Sequence, residues 1–324
     1  YIDMSQYFDT IQKQQCFSTP TLIEQGPHSV MKNISPDIKT KYVNIDSRYR
    51  EPGTIDSSVV QYELPQTITN ILTLKVSQME IPLSFYNFSA SRGNTFFQIE
   101  NTSSGVVSSI QIEDGYYTFS SIVTEINEQI INNDIGNLYV TIDNTTNKIM
   151  FNNDNENDNA NEMNNHYKLY FDVNSNLSIK CTDNHNKPLN TKLGWALGFR
   201  QSIYSLDVGT EIMSEGSVDL FPIRYLYLAV DEFSQSNPNS FLTPSYNWYM
   251  NPNVLARISL DPNTYSFGSI ISINEEGGRL KSDIRTYGGK TDIKRLHIQL
   301  LDEQCNVLSL NQMDFSFLLE ISHQ

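Results

Sequence analysis

Residues 70–82 read NILTLKVSQMEIP, and the spacing of their apolar side chains selects the fold class. Leu72, Leu74 and Val76 recur at every second position, the period of a strand with one covered face. The alternation then slips by one residue to Met79 and Ile81, as a β-bulge requires, and Pro82 closes the run. A helix would repeat at three and four residues. The stretch is predicted to be a bulged strand.

The same period recurs on both sides of it. Upstream, KYVNIDSRYRE (41–51) alternates Val43 and Ile45 with Asn44 and Asp46 before a turn at Pro52-Gly53. Downstream, NTFFQIE (94–100), VLARISL (254–260), RLHIQLLD (295–302) and DFSFLLEI (314–321) read as strands. In the last two, Leu296, Ile298 and Leu300 alternate with Arg295, His297 and Gln299, and Phe315, Phe317, Leu319 and Ile321 form one apolar face. RYLYLAVDEF (224–233) is apolar on both alternations, as in a central strand covered on both sides. Many short strands separated by turn residues indicate a sandwich.

One segment follows a different period. In SSIVTEINEQIINN (120–133), Ile122, Ile126 and Ile130 recur every fourth residue with Val123 beside them; Ser120 or Ser121 is the expected cap and Asn132-Asn133 the end. This helix follows SIQIEDGYYTF and precedes NLYVTIDNTTNKIMF, a hairpin turning at Asn144–Asn147, and YKLYFDV. Residues 94–200 therefore read as a small α/β subdomain inserted in a β domain of 41–324. Residues 1–40, broken by Gly26, Pro27 and Pro36, read as an extended N-terminal arm.

Composition narrows the function. Hydrophobic residues are 39% and charged residues 18%, with Asn, Ser and Thr making up the balance. Asn and Ser compete for backbone hydrogen bonds and favour turns. With 22 basic against 37 acidic residues, the net charge of -15 disfavours nucleic acid and anionic membrane as partners. A basic patch at Lys290, Lys294 and Arg295 reads as a solvated strand face. Cys16, Cys181 and Cys305 are few and far apart, so neither a disulfide framework nor a zinc site is expected. No apolar run reaches transmembrane length, and no signal peptide is visible. The sequence starts at Tyr1 rather than a methionine, which leaves room for residues upstream. The sequons at Asn87, Asn101, Asn144 and Asn176 are what an Asn/Ser/Thr-rich chain produces by chance.

Searches for chemistry return nothing above background. Asp154, Glu156 and Asp158 imitate the first half of a calcium loop, but Asn159 and Asn165 stand where Gly and Glu are needed. YGGKT (287–291) ends like a phosphate loop, but Ile284 stands where its first Gly belongs, so it reads as an ordinary loop. The five histidines are dispersed, with His297 on the outer face of its strand. No nucleophile elbow is present. No catalytic residue, metal or cofactor is assigned, and a carbohydrate-active enzyme would need a paired acid that sequence cannot nominate. LGWALGFR (193–200) reads as a packing junction: Gly194 and Gly198 allow close approach, and Trp195, Leu197 and Phe199 share a strand face. Trp195→Ala is then expected to cost about 3–5 kcal/mol if the ring is fully buried.

Taken in order, KYVNIDSRYRE, YELPQTITNILTLKVSQMEIPLSFYNFS, LGWALGFR, RYLYLAVDEF, VLARISL and TDIKRLHIQLLDEQCNVLSLNQMDFSFLLEI resemble the minor capsid proteins of the nucleocytoplasmic large DNA viruses, the giant viruses. The resemblance implies a jelly-roll-like β-sandwich in an icosahedral virion shell assembled in the host cytoplasm. Its implied partners are the double jelly-roll major capsid protein and other minor capsid proteins. Large interfaces favour exposed aromatics, so SFYNFSASRGNTFF (84–97) and SYNWYMNP (245–252) are candidate contact loops. Phe85, Tyr86, Phe88, Tyr246, Trp248 and Tyr249 are the candidate interface residues. The alternative is a vertex or fibre-type jelly roll that binds a host-surface glycan, with Trp248 and Tyr249 as its stacking platform.

Overall fold

The period-two run does form a single strand, longer than the alternation alone indicates. In the computed structural model, which describes residues 37–154, 165–173, 187–233, 241–242, 253–261 and 266–324, β1 is Lys39–Asp46 and β2 is Val59–Pro82. There follow β3 (Phe96–Asn101), β4 (Val106–Gln111), α1 (Phe119–Asn132), β5 (Leu138–Asp143), β6 (Lys148–Asn153) and β7 (Tyr167–Tyr170). Next come α2 (Leu193–Ala196), β8 (Ile203–Leu206), β9 (Thr210–Met213), β10 (Tyr225–Asp231) and β11 (Val254–Ser259). The last are β12 (Ile270–Asn274), β13 (Leu280–Ser282), β14 (Arg285–Leu301) and β15 (Ser316–His323).

The expected bulge is present. Leu318 pairs with Gln78 and Leu319 with Val76, so Ser77 is the extra residue, and both Val76 and Met79 stay buried. One detail differs. Ile71, not Leu72, belongs to the core, because a second slip at Leu72 separates the Thr73–Ser322 and Ile71–His323 pairs.

The main sheet runs β1-β15-β2-β14-β10-β11-β13, with β12 also on β2. Its ladders are all antiparallel. Through β15, Asp46 lies level with Glu80. Eighteen residues separate Tyr62 from Glu80, which in a straight strand would span about 60 Å. Yet the Tyr62 hydroxyl donates to the Asp46 carbonyl at 2.6 Å, so β2 folds back on itself. Its bend coincides with Asn70 at φ 55° and with register breaks against β14 between Thr286 and Arg295. The sheet thereby becomes two layers facing one core, an antiparallel jelly-roll-like sandwich curled into a half-barrel. One buried cluster joins Val60, Leu64 and Ile68 to Leu74, Val76 and Met79, and adds Leu226, Leu228, Ile298, Leu300, Phe317 and Leu319. β10, paired to both β11 and β14, is the central strand that its sequence indicates.

The expected YGGKT loop is a correction. These residues lie inside β14, where Gly288, Gly289 and Lys290 bulge between Thr286 and Thr291 and help the strand turn from one layer to the other. Tyr287 is buried and donates to Glu232 at 2.8 Å. Glu232 also pairs with Arg285, and both charged side chains are 2% exposed. Arg285 donates further to the Val230 carbonyl at 2.8 Å and the Asn253 carbonyl at 3.1 Å. Burial and the Glu232 carboxylate push the Tyr287 phenol upward in pKa, so it stays a donor.

A second buried cluster draws on residues from Phe88 to Leu220. It packs α1 with two small antiparallel sheets, β4-β3-β7-β8 and β5-β6-β9. Ile122, Ile126 and Ile130 are its buried helical face, as their spacing requires. The cap is Thr118, in a box with Ser121, rather than Ser120 or Ser121 alone. The β5–β6 hairpin turns with Asn147 at φ 53°.

The strand expected through LGWALGFR is also corrected: residues 193–196 form a helical turn. Leu193, Leu197 and Phe199 are buried and Trp195 is only partly so, with the Arg200 guanidinium 4.2 Å from its ring centre. The two glycines do permit close approach. A Cβ on Gly194 would lie 2.3 Å from the Phe171 ring, and one on Gly198, at φ 97°, would lie 2.1 Å from the Gly216 carbonyl oxygen.

Gly198→Ala is therefore expected to lower unfolding free energy by on the order of 3 kcal/mol through backbone strain and overlap. Trp195→Ala, whose ring is partly solvated, should cost less than the about 3–5 kcal/mol of a fully buried aromatic. Denaturant titration of both variants checks the order. Arg285→Leu leaves Glu232 buried without its counter-charge and should cost about 3–5 kcal/mol, read in the same way.

Candidate interaction surfaces

The half-barrel is not closed all the way round. Among the described residues β1 is an edge strand, paired with β15 and with no other strand. The Ser47 amide donates to the Phe315 carbonyl, so the odd-numbered residues of β1 direct their main chain to β15 and the even-numbered ones direct theirs outward. The Asp46 carbonyl confirms that direction by accepting from Tyr62. The outward amides and carbonyls of Tyr42 and Asn44 have no hydrogen-bond partner among the described residues. Facing this edge across a groove of about 450 Å³ is the first half of β2, with Tyr62, Leu64 and Ile68 on the wall. Tyr42 is 61% and Tyr49 76% exposed.

IDSRYR builds the closed end of that groove. Asp46 accepts from the Arg48 amide and guanidinium, which hold its carboxyl below the usual range. Ser47 donates to Asp314 at 2.7 Å and accepts from the Phe315 amide at 3.0 Å, while Arg50 pairs with Asp314. Burial, with the Asp46 charge adding to it, pushes the Tyr62 phenol up to about 12, so the hydroxyl keeps its proton and remains a donor to the Asp46 carbonyl throughout the neutral range. Sequence reasoning assigned these residues to a strand and turn only. The clustering of Asp, Ser and two Arg directly after an alternating run is the signal that could have marked a staple.

Segments at residues 85–94, 114, 190–196, 219–224 and 302–311 enclose a second, polar surface. It consists of two clefts of about 200 Å³ and 390 Å³ that share Arg92 and Asp302. Arg92 donates to the Tyr86 carbonyl. Asp302 accepts from the Gln304 and Asn306 amides, each at 2.9 Å. Burial raises the Asp302 pKa against those donors, and it raises Glu303 as well.

The structure separates the aromatics proposed as contacts. Phe85 and Tyr86 are half-buried and line the larger cleft. The Tyr86 ring lies 6.4 Å from that of Phe267, which stacks on Tyr116 at 4.5 Å. Phe88 is a correction: it is fully buried, edge-on to Tyr117 at 5.8 Å, so it belongs to the core. Tyr246, Trp248 and Tyr249 lie outside the described residues, as do Glu156, Asp158, Cys16, Cys181 and the arm through residue 36. Asp154 accepts from Tyr139 at 2.7 Å. Of the basic trio, Lys294 pairs with Glu63 at 3.0 Å and Arg295 lies over Phe233. His297 is half-exposed on its strand. Among the described residues, no group of three or more His, Cys, Asp or Glu could hold a metal ion, and no helix is long and apolar enough to cross a membrane.

No family model and no curated protein matches the chain. Among solved structures it is similar to the mavirus penton protein, with a TM-score of 0.44 and 14% identity over 88% of this chain and 100% of that chain. Agreement of that size is too loose to transfer a role.

Because native Asp302 and Glu303 hold their protons more tightly than an exposed carboxyl, each favours folding more as pH falls from neutral toward the ordinary carboxylate range. The parent protein should therefore gain thermal stability relative to Asp302→Asn on acidification. Melting curves of the two at several pH values check the sign.

Proposed function

We propose that the chain is a structural component of a large icosahedral virus shell, a minor capsid protein that works by protein–protein contact. The observation that carries this reading is the edge of β1 that no described residue pairs with, with exposed Tyr42 and Tyr49 beside it. An open edge is a template for another chain, and monomeric β proteins usually blunt theirs. The ordered resemblance from KYVNIDSRYRE to DFSFLLEI supports the particular class, and the jelly-roll-like sandwich agrees with it. On this reading the partners are major-capsid capsomers and other minor capsid proteins, and the site of action is the virion. An acidic chain of net charge -15 suits contacts with protein better than with packaged nucleic acid.

Quantitative mass spectrometry of purified particles of the encoding virus should find the chain in fixed ratio to the major capsid protein. Its absence from such particles would overturn the reading.

A further inference from the structure

We propose that the groove between β1 and the first half of β2 is a docking site for one extended strand of another polypeptide. The inserted strand has apolar side chains facing inward and an acidic side chain opposite Lys41. This rests on the reading of the chain as a shell component held by protein contacts, and it names the kind of segment that makes one of them.

Three features select this occupant. The first is width. At the closed end a single tyrosine side chain and its 2.6 Å hydrogen bond span from β2 to the Asp46 carbonyl. That distance is about two interstrand spacings, ~10 Å, which leaves room for one strand between the walls. A second copy's sheet edge would bring its own neighbouring strand into β2, so an isolated segment fits and a second sheet does not.

The second feature is the main chain. Tyr42 and Asn44 offer outward amides and carbonyls in the alternation that an antiparallel strand pairs with. Docking by strand addition takes its affinity from such bonds and its selectivity from alternate side chains.

The third is the inner lining. Ile45 is core and Val43 packs against it on one wall, and Leu64 and Ile68 are core on the other. Side chains of an inserted strand pointing inward at these levels would meet apolar surface from both sides. One step toward the open end, the inner position of β1 is Lys41, half-buried and without an acidic partner among the described residues. In a non-hydrogen-bonded antiparallel pair the facing side chains are close, and opposite charges there are favourable. Read along an antiparallel strand, the segment is apolar, any, apolar, any, acidic.

The test uses the full chain and a capped peptide alternating valine and threonine, with one glutamate at the place opposite Lys41. Binding is followed by fluorescence anisotropy, and amide exchange is followed at Tyr42 and Asn44. Saturating peptide should slow exchange at those two amides by roughly tenfold or more. Asn44→Pro removes an outward donor that β15 does not use. It should leave the melting temperature near that of the parent and weaken the peptide by roughly tenfold or more. As a second measurement, Lys41→Glu should weaken the glutamate peptide up to about fivefold and recover binding to a lysine peptide. No binding at about millimolar peptide, or binding indifferent to both substitutions, overturns the proposal. Such a failure leaves the shell reading untouched if the chain is found in particles, whereas absence from particles removes that reading whatever the peptide does.

Discussion

The fold depends on β2 belonging to two layers at once. A strand of 24 residues is far longer than the usual five or six, and a straight one could not cover its own apolar face. By folding back near Asn70, β2 brings Val60, Leu64 and Ile68 opposite Leu74, Val76 and Met79 in one cluster. β14 must follow the same bend, which the Gly288-Gly289-Lys290 bulge accommodates. The Tyr62–Asp46 bond records the closure. Only one sheet is needed to make this sandwich, and among the described residues its β1 edge stays unpaired.

Two polar devices hold the ends of this construction. The Asp46-Ser47-Arg48-Arg50 staple ties β1 to the start of β15 through Asp314 and the Phe315 backbone. The Arg285–Glu232–Tyr287 cluster locks β14 to the end of β10 inside the molecule, with carbonyls of Val230 and Asn253 taking up other guanidinium donors. Such a pair adds little net stability over an apolar substitute. What it adds is register, because a slip of either strand would leave a charge unpaired. The same demand for exact fit appears in the second cluster, where Gly194 and Gly198 let Phe171 and Gly216 approach to distances that no side chain would allow.

The parts of the fold and of its surfaces that were legible were those carried by local period. Alternation in NILTLKVSQMEIP and DFSFLLEI placed strands and even the bulge at Ser77, because a strand face against a core admits no other phase. Four-residue recurrence placed α1. The misreadings share one cause. YGGKT and LGWALGFR are short and rich in glycine, so local propensity says little and their conformation follows from what packs on them. Phe88 differs for another reason: an aromatic in a polar loop reads as exposed until the neighbouring Tyr117 is in place. The staple was invisible for a further reason: it joins residues more than two hundred positions apart.

By itself, then, the sequence determined that this is an acidic, β-rich chain with one amphipathic helix. Those properties live in periods of two and four residues and in composition, which do not depend on what the chain meets in space. Tertiary structure alone decided that β2 folds back, that Phe88 is inside while Tyr42 is outside, and that β1 keeps an edge that no described residue pairs with, facing a groove. Burial and pairing are relations between distant segments, and an edge is defined by the neighbour a strand lacks.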